Sequence, residues 1–177
     1  MKSLLKSIAI LALVVLTAGG LKAQQKIGHV NSSELLQSMP EMKQADENFN
    51  TLRDTKLKEL EAMDQERQTK IATYQEKYKT LSEANKEAVG KELEALGQEI
   101  ETMAQRIDEL NQKAQEELTA KREELYQPVL AKADSAVKAV AKEQGFAYVL
   151  DVANQAVIYF EGGEDITPLV KTKLGIQ

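Results

Sequence analysis

Cysteine and tryptophan are absent from this sequence, and histidine occurs once, at His29. Without cysteine there can be no disulfide, thiolate metal site, cysteine nucleophile or lipid anchor on an N-terminal cysteine. With one histidine there can be no histidine pair for a metal, and a lone histidine in a short strand reads as structural. Aromatics make up 5% of residues against 29% charged, a balance closer to a long-helix protein than to an enzyme built round a deep pocket. Neither a Gly-x-x-x-x-Gly-Lys phosphate loop nor a glycine-rich dinucleotide turn occurs. The acidic pairs Glu116–Glu117 and Glu123–Glu124 read as a solvated helix face. No catalytic, cofactor-binding or metal-binding residues are therefore assigned, and the chain reads as a non-enzyme.

Proline is also scarce, and its absence from residues 41–127 leaves room for the dominant feature. There, Leu93, Leu96, Ile100, Met103, Ile107, Leu110 and Ala114 recur at steps of three and four, the seam of a helix packed along another helix. Met42, Ala45, Phe49 and Leu52 begin a similar seam that continues through Leu57 and Leu60. After a polar interval it resumes as Ile71, Tyr74, Tyr78 and Leu81. Thr80-Leu81-Ser82-Glu83 fits a capping box and marks the start of the second helix. Residues 41–127 thus predict an antiparallel hairpin of two helices, each about 60 Å long at ~1.5 Å per residue.

The N-terminus carries Lys2 and Lys6, an apolar run from Ile8 to Leu16, and small residues up to Ala23, the layout of a secretory signal peptide over residues 1–23. Cleavage after Ala18 to Gly20 is the alternative. Removing residues 1–23 takes away three lysines and no acids, moving the net charge from -5 to -8. Nucleic-acid binding needs a basic face, so nucleic acid is excluded as a partner.

Further along, Lys26-Ile27-Gly28-His29-Val30 predicts a strand, and Ser32–Met39 a brief helix capped by Asn31 or Ser33 and ended by Pro40. Pro128 is expected to kink a helix that stops at Gly145. Phe146–Asp151 and Gln155–Phe160 read as a β-hairpin, and Thr167 as the cap of a last helix with Pro168 at its first position. Residues 24–40 and 128–177 are few for an independent domain, and their apolar strands would leave edges inviting aggregation. Closure against copies of the same chain resolves this, through Ile27, Val30, Tyr148, Val149, Leu150, Val157, Ile158 and Phe160.

In this order, the chain resembles the Skp or OmpH-like periplasmic chaperones of bacteria with two membranes. The matching pieces are Ile27-Gly28-His29-Val30-Asn31, the long charged hairpin, Pro128 with its alanine-rich helix, Gly145 to Asp151, and the closing Asp165-Ile166-Thr167. The resemblance implies an α+β fold: a long antiparallel coiled-coil arm on a small β body, the body closing as a trimeric β-barrel. It also implies a soluble homotrimer in the periplasm that holds unfolded outer-membrane proteins between its arms without ATP. Well-known members are strongly basic, whereas this mature chain is acidic, which leaves contact with membrane or lipopolysaccharide open. The alternative function is an exported trimeric coiled-coil structural or adaptor protein that binds one folded partner.

Two further features of the arm are candidates. Lys70 to Lys91 carries five lysines and three glutamates, so Lys77, Lys79, Lys86 and Lys91 near the tip at 80–91 could touch lipid or client. Asp64 and Arg67 fall where the seam calls for apolar residues, and Gly90 and Gly97 weaken a helix, so these four are candidate hinge positions. Met42, Met63, Met103, Tyr74 and Tyr78 could offer adaptable surface to a client wherever the seam does not consume them.

Overall fold

The computed structural model describes residues 25–153 and 157–176; the expected signal peptide, and Asn154, Gln155 and Ala156 of the expected β-hairpin, lie outside them. In chain order the elements are β1 (Ile27–Val30), α1 (Ser32–Ser38), α2 (Pro40–Lys79), α3 (Lys86–Glu143), β2 (Tyr148–Asp151), β3 (Glu164–Asp165) and α4 (Thr167–Leu174). They form two compact units. One is Met39–Lys132, the other the described residues on either side of it.

In the hairpin unit, α2 and α3 run antiparallel, as their side-chain pairs record: Glu41 meets Lys132, Asp46 meets Tyr126, Lys56 meets Glu117, Lys70 meets Glu99 and Lys77 meets Glu92. Leu93, Met103 and Ala114 are buried in α3 as the spacing predicts. On α2 the seam departs from expectation at two points. Leu57 is 51% exposed, and Lys56 takes the inner position four residues after Leu52. A lysine can do so because its apolar stem lines the groove while its ammonium reaches Glu117 at 2.7 Å. At the far end, Tyr78 and Leu81 are likewise outside the seam, 60% and 38% exposed, and Lys77 lies inward instead.

The connection between the helices also differs from the capping box. Thr80 closes α2, donating both its N–H and its hydroxyl to the Lys77 carbonyl at 3.0 and 2.7 Å. The next helix starts six residues later, where the Asn85 carbonyl accepts from Val89 and the Asn85 side chain bridges Ser82 N–H and the Thr80 carbonyl. An asparagine that closes the loop on both sides outcompetes a threonine already committed to the preceding turn. α3 then continues through Pro128 without a break.

Gly90 and Gly97 sit inside α3. A Cβ added at Gly90 would meet nothing within 4 Å, and one at Gly97 would only touch the Tyr74 ring at 4.0 Å. Gly90→Ala and Gly97→Ala are therefore expected to stabilise the hairpin by about 0.5–1 kcal/mol each. A rise in the urea midpoint at unchanged slope is the check.

In the terminal unit β1 is the central strand of order β2-β1-β3, paired in parallel on both sides. The expected β-hairpin is not formed: β2 pairs with β1 rather than with the following run, and Val157–Phe160 is not a strand. Polar links at the end of β1 favour the parallel alignment. Asp151, ending β2, accepts from the Ser32 hydroxyl at 2.7 Å and the Ser32 N–H at 3.2 Å, and the Thr167 hydroxyl accepts from Asn31 N–H at 3.1 Å. Asn31 also caps α1, its side chain accepting from Glu34 N–H at 3.0 Å.

In the same unit α1 packs on α4, and the buried hydrophobic residues are Val30, Leu35, Ala133, Ala136, Val140, Ile166 and Val170, each at most 7% exposed. Pro40 opens α2, where its missing N–H costs nothing. At α4, Ile166 rather than Thr167 is the flanking residue, and the Asp165 carboxylate accepts from Thr167 N–H at 2.9 Å. The end of α3 is as expected: Gly145 turns left-handed at φ 70°, Phe146 N–H reaches the Ala141 carbonyl and Gly145 N–H that of Lys142.

Candidate functional site

Two surfaces, one in each unit, gather the residues singled out by sequence. On the terminal unit, Gly28 lets Phe146 lie against β1; a Cβ there would meet the ring at 2.9 Å. Lys26 sits 4.0 Å over the Phe146 ring and 2.9 Å from Glu164. Beside them, Ile27, Tyr148 and Leu150 are 44%, 57% and 40% exposed, and Val149 and Val157 half-buried. Ile158 is 96% exposed, Tyr159 73% and Phe160 43%, with Phe160 tilted on His29 at 5.1 Å between centroids. Val30 is the exception, since it belongs to the core. Tyr159, absent from the candidates, lies in the same apolar run, the signal that could have found it. Three consecutive large side chains left open to water are uncommon on a self-sufficient monomer.

Asp151 and Asp165 hold this unit's strands to its helices. Burial pushes the Asp151 carboxyl up, but bonds from Ser32 and from Ala153 N–H outweigh it and hold the group below the usual carboxylate value. For Asp165, burial is similarly outweighed by the hydroxyl and N–H of Thr167, helped by the charges of His29 and Lys171. A carboxylate depressed in the fold stabilises above its unfolded pKa, and that contribution is lost as pH falls through the folded one. The urea midpoint of the unit is expected to be flat at neutral pH and to drop below about pH 3.9. Asp151→Asn should lower the neutral plateau and flatten the acid limb; unchanged curves would show that these caps do not matter.

The second surface is the far end of the hairpin unit. Each lysine of the positively charged segment has a glutamate: Lys70 with Glu99, Lys77 with Glu92, Lys79 with Glu76, Lys86 with Glu83 and Lys91 with Glu87. Glu92 and Glu99 come from the facing helix just past Lys91, so the excess charge of the linear segment is matched once the chain folds back. Tyr74 stacks on Tyr78 at 6.4 Å and 12° between ring planes. Of the five adaptable residues, Met103 is buried, Met42, Met63 and Tyr74 are half-buried, and Tyr78 alone is exposed.

Midway along the hairpin, the polar seam is built from Lys56, Asp64 and Arg67. Arg67 bonds Asp64 at 2.7 and 3.1 Å, and Gln68 bonds it at 2.6 Å, so Asp64 is held below its usual carboxylate value by those two donors. Lys56 is raised and Glu117 lowered chiefly by their mutual hydrogen bond. Asp64, Arg67, Gly90 and Gly97 are not brought together: the first two share one turn of α2 and the glycines lie on α3. Among the described residues, no group of three or more potential metal-binding side chains comes together, and no helix is long and apolar enough to cross a membrane.

The OmpH-like outer membrane protein family matches this chain over residues 26–174. A crystal structure from Caulobacter crescentus CB15, of a proposed OmpH-like outer membrane chaperone, has a similar fold, with TM-score 0.63 and 19% identity over 86% of this chain and 85% of that one. No curated protein matches the chain significantly.

Proposed function

Because the chain belongs to the OmpH-like outer membrane protein family, we propose that it is an ATP-independent holdase, exported to the periplasm, that encloses unfolded outer-membrane β-barrel proteins between helical arms. The observation that carries this reading is the run Ile158, Tyr159 and Phe160, exposed on a small unit whose sheet has three short strands. Such a run is best covered by further copies of the chain, and three copies closing their sheets into one barrel give the trimer. The hairpins are then the arms. Many weak contacts inside a cage hold an unfolded chain tightly while each breaks readily, so release needs no fuel: the folding free energy of a membrane-inserted barrel draws it away.

The polar mid-seam at Asp64 and Arg67 and the glycines at 90 and 97 serve as points where the arm bends to fit clients of different size. Uniformly slow hydrogen exchange along the arm would exclude that role. Lipid contact through Lys77, Lys79, Lys86 and Lys91 is tested by changing all four to glutamine and measuring binding to anionic vesicles across salt concentrations. The deciding experiment for the function is an aggregation assay with several unrelated unfolded barrels, with mass measured alongside. A trimer should suppress aggregation at about one client per trimer, and a monomer without effect would overturn both parts of the reading. Binding of one folded protein only would favour the adaptor.

A further inference from the structure

We infer that Tyr78 and Leu81, at the free end of the hairpin unit, are a contact site for aromatic and aliphatic side chains of an extended, unfolded polypeptide. The inference rests on the holdase reading and names residues for it. Tyr78 lies in the last turn of α2 and Leu81 in the connection that follows, both outside the seam. The Tyr74 ring stacks under Tyr78, and Tyr74, Gln75, Tyr78 and Lys79 line a shallow open groove. On the facing helix Gly97 presents no side chain to the Tyr74 ring, which a Cβ added there would meet only at 4.0 Å. Stacking on Tyr74 restricts the Tyr78 ring, which lowers the entropy lost when a partner packs against it.

Two properties select the occupant. The first is charge. The lysines bordering the patch, Lys77, Lys79, Lys86 and Lys91, are each matched by a glutamate. The patch therefore offers an uncompensated cation to neither an anionic lipid nor an acidic peptide, and it favours a partner that is locally neutral and apolar. The second is size. Tyr78 and Leu81 together are far below the roughly 800 Å² per partner that a stable folded complex buries. A folded protein or a second copy of the chain would not be held by them. An extended chain would, because it can touch several such small sites at once. Strands of outer-membrane barrels carry apolar residues on their lipid face and aromatic girdles at its edges, a ready supply of matching side chains.

The test measures binding of a urea-unfolded eight-stranded outer-membrane barrel, diluted into the intact protein. A second client has the same chain with its aromatic residues replaced by serine. Tyr78→Ser combined with Leu81→Ser is expected to weaken binding of the first client about tenfold or more, with helicity and oligomeric mass unchanged. Tyr78→Phe should retain binding, and the serine-substituted client should bind the unchanged protein about as weakly as the first client binds the double variant. Binding of the double variant within about twofold of the original overturns the inference, as does equal binding of the two clients to the original protein. Loss of anionic-vesicle binding with client binding intact also overturns it and assigns the patch to membrane. If the original protein binds neither client, it is the holdase reading that fails.

Discussion

If the body closes as the proposed trimer, a protein carrying Ile158→Asp is expected to run as a monomer at concentrations where the unchanged protein would associate. Ile158 is 96% exposed in the single chain and makes no contribution to its core. In a free monomer, aspartate at such a position would be neutral or would improve solubility. In a closed body of three copies the carboxylate would be forced among Tyr159, Phe160 and the apolar side chains of its neighbours, with no cation assigned to it. Leaving a charge unpaired in such a place costs ~3 kcal/mol or more per copy, and three copies suffer it together. The association constant should fall by well over a thousandfold. Sedimentation or light scattering reads the outcome directly. A trimer that survives Ile158→Asp would place this run outside the interface and remove the main support for the assembled cage.

Leu35→Ala is expected to unfold most of the terminal unit at room temperature or bring it close to doing so. Leu35 is 1% exposed on α1, which packs on α4, and shares a small core with Val30, Ala133, Ala136, Val140, Ile166 and Val170. Leucine-to-alanine changes at such sites cost about 2–5 kcal/mol, because the cavity adds to the lost transfer free energy. A core this small supplies only about 3–5 kcal/mol in total, so little reserve remains. Amide hydrogen exchange in β1 and β2 during urea unfolding reads this unit separately from the hairpin. Leu57→Ala is the contrast: with Leu57 half in solvent, its replacement should change stability by no more than ~0.5 kcal/mol.

That contrast shows where sequence periodicity carried information and where it lost it. The α3 seam was legible because its apolar residues keep steps of three and four and no polar residue competes for the inner face. On α2 the pattern misled at Leu57, since periodicity ranks leucine above lysine, whereas the fold uses the lysine stem as packing and its head as one half of a cross-helix pair with Glu117. The partner's position, some sixty residues away, is invisible to a local pattern. The parallel sheet was lost for the same reason. Tyr148-Val149-Leu150 and Val157–Phe160 lie near each other in the chain and look like a hairpin, but the pairing is decided by Asp151 and Thr167 bonding to residues beside β1. One cue was present: an unbroken apolar run, rather than strict alternation, suits a strand of a parallel sheet. The charge of the hairpin's end was misjudged because a linear window omits the glutamates contributed by the returning helix.

The parallel sheet also dictates a timetable. Ser32 and its partner Asp151 are 119 residues apart, and Asn31 and Thr167 are 136 apart. In the proposed export, β1 therefore emerges early as the chain crosses the membrane N-terminus first, and has nothing to pair with until β2 has followed it. The long helices can form in the interval because their turns need only local neighbours, so the hairpin is complete before either partner strand of β1 arrives. The arrival of Tyr148–Asp151 is the event that starts the sheet, and a chain stalled short of Tyr148 would carry the two long helices beside an orphan first strand.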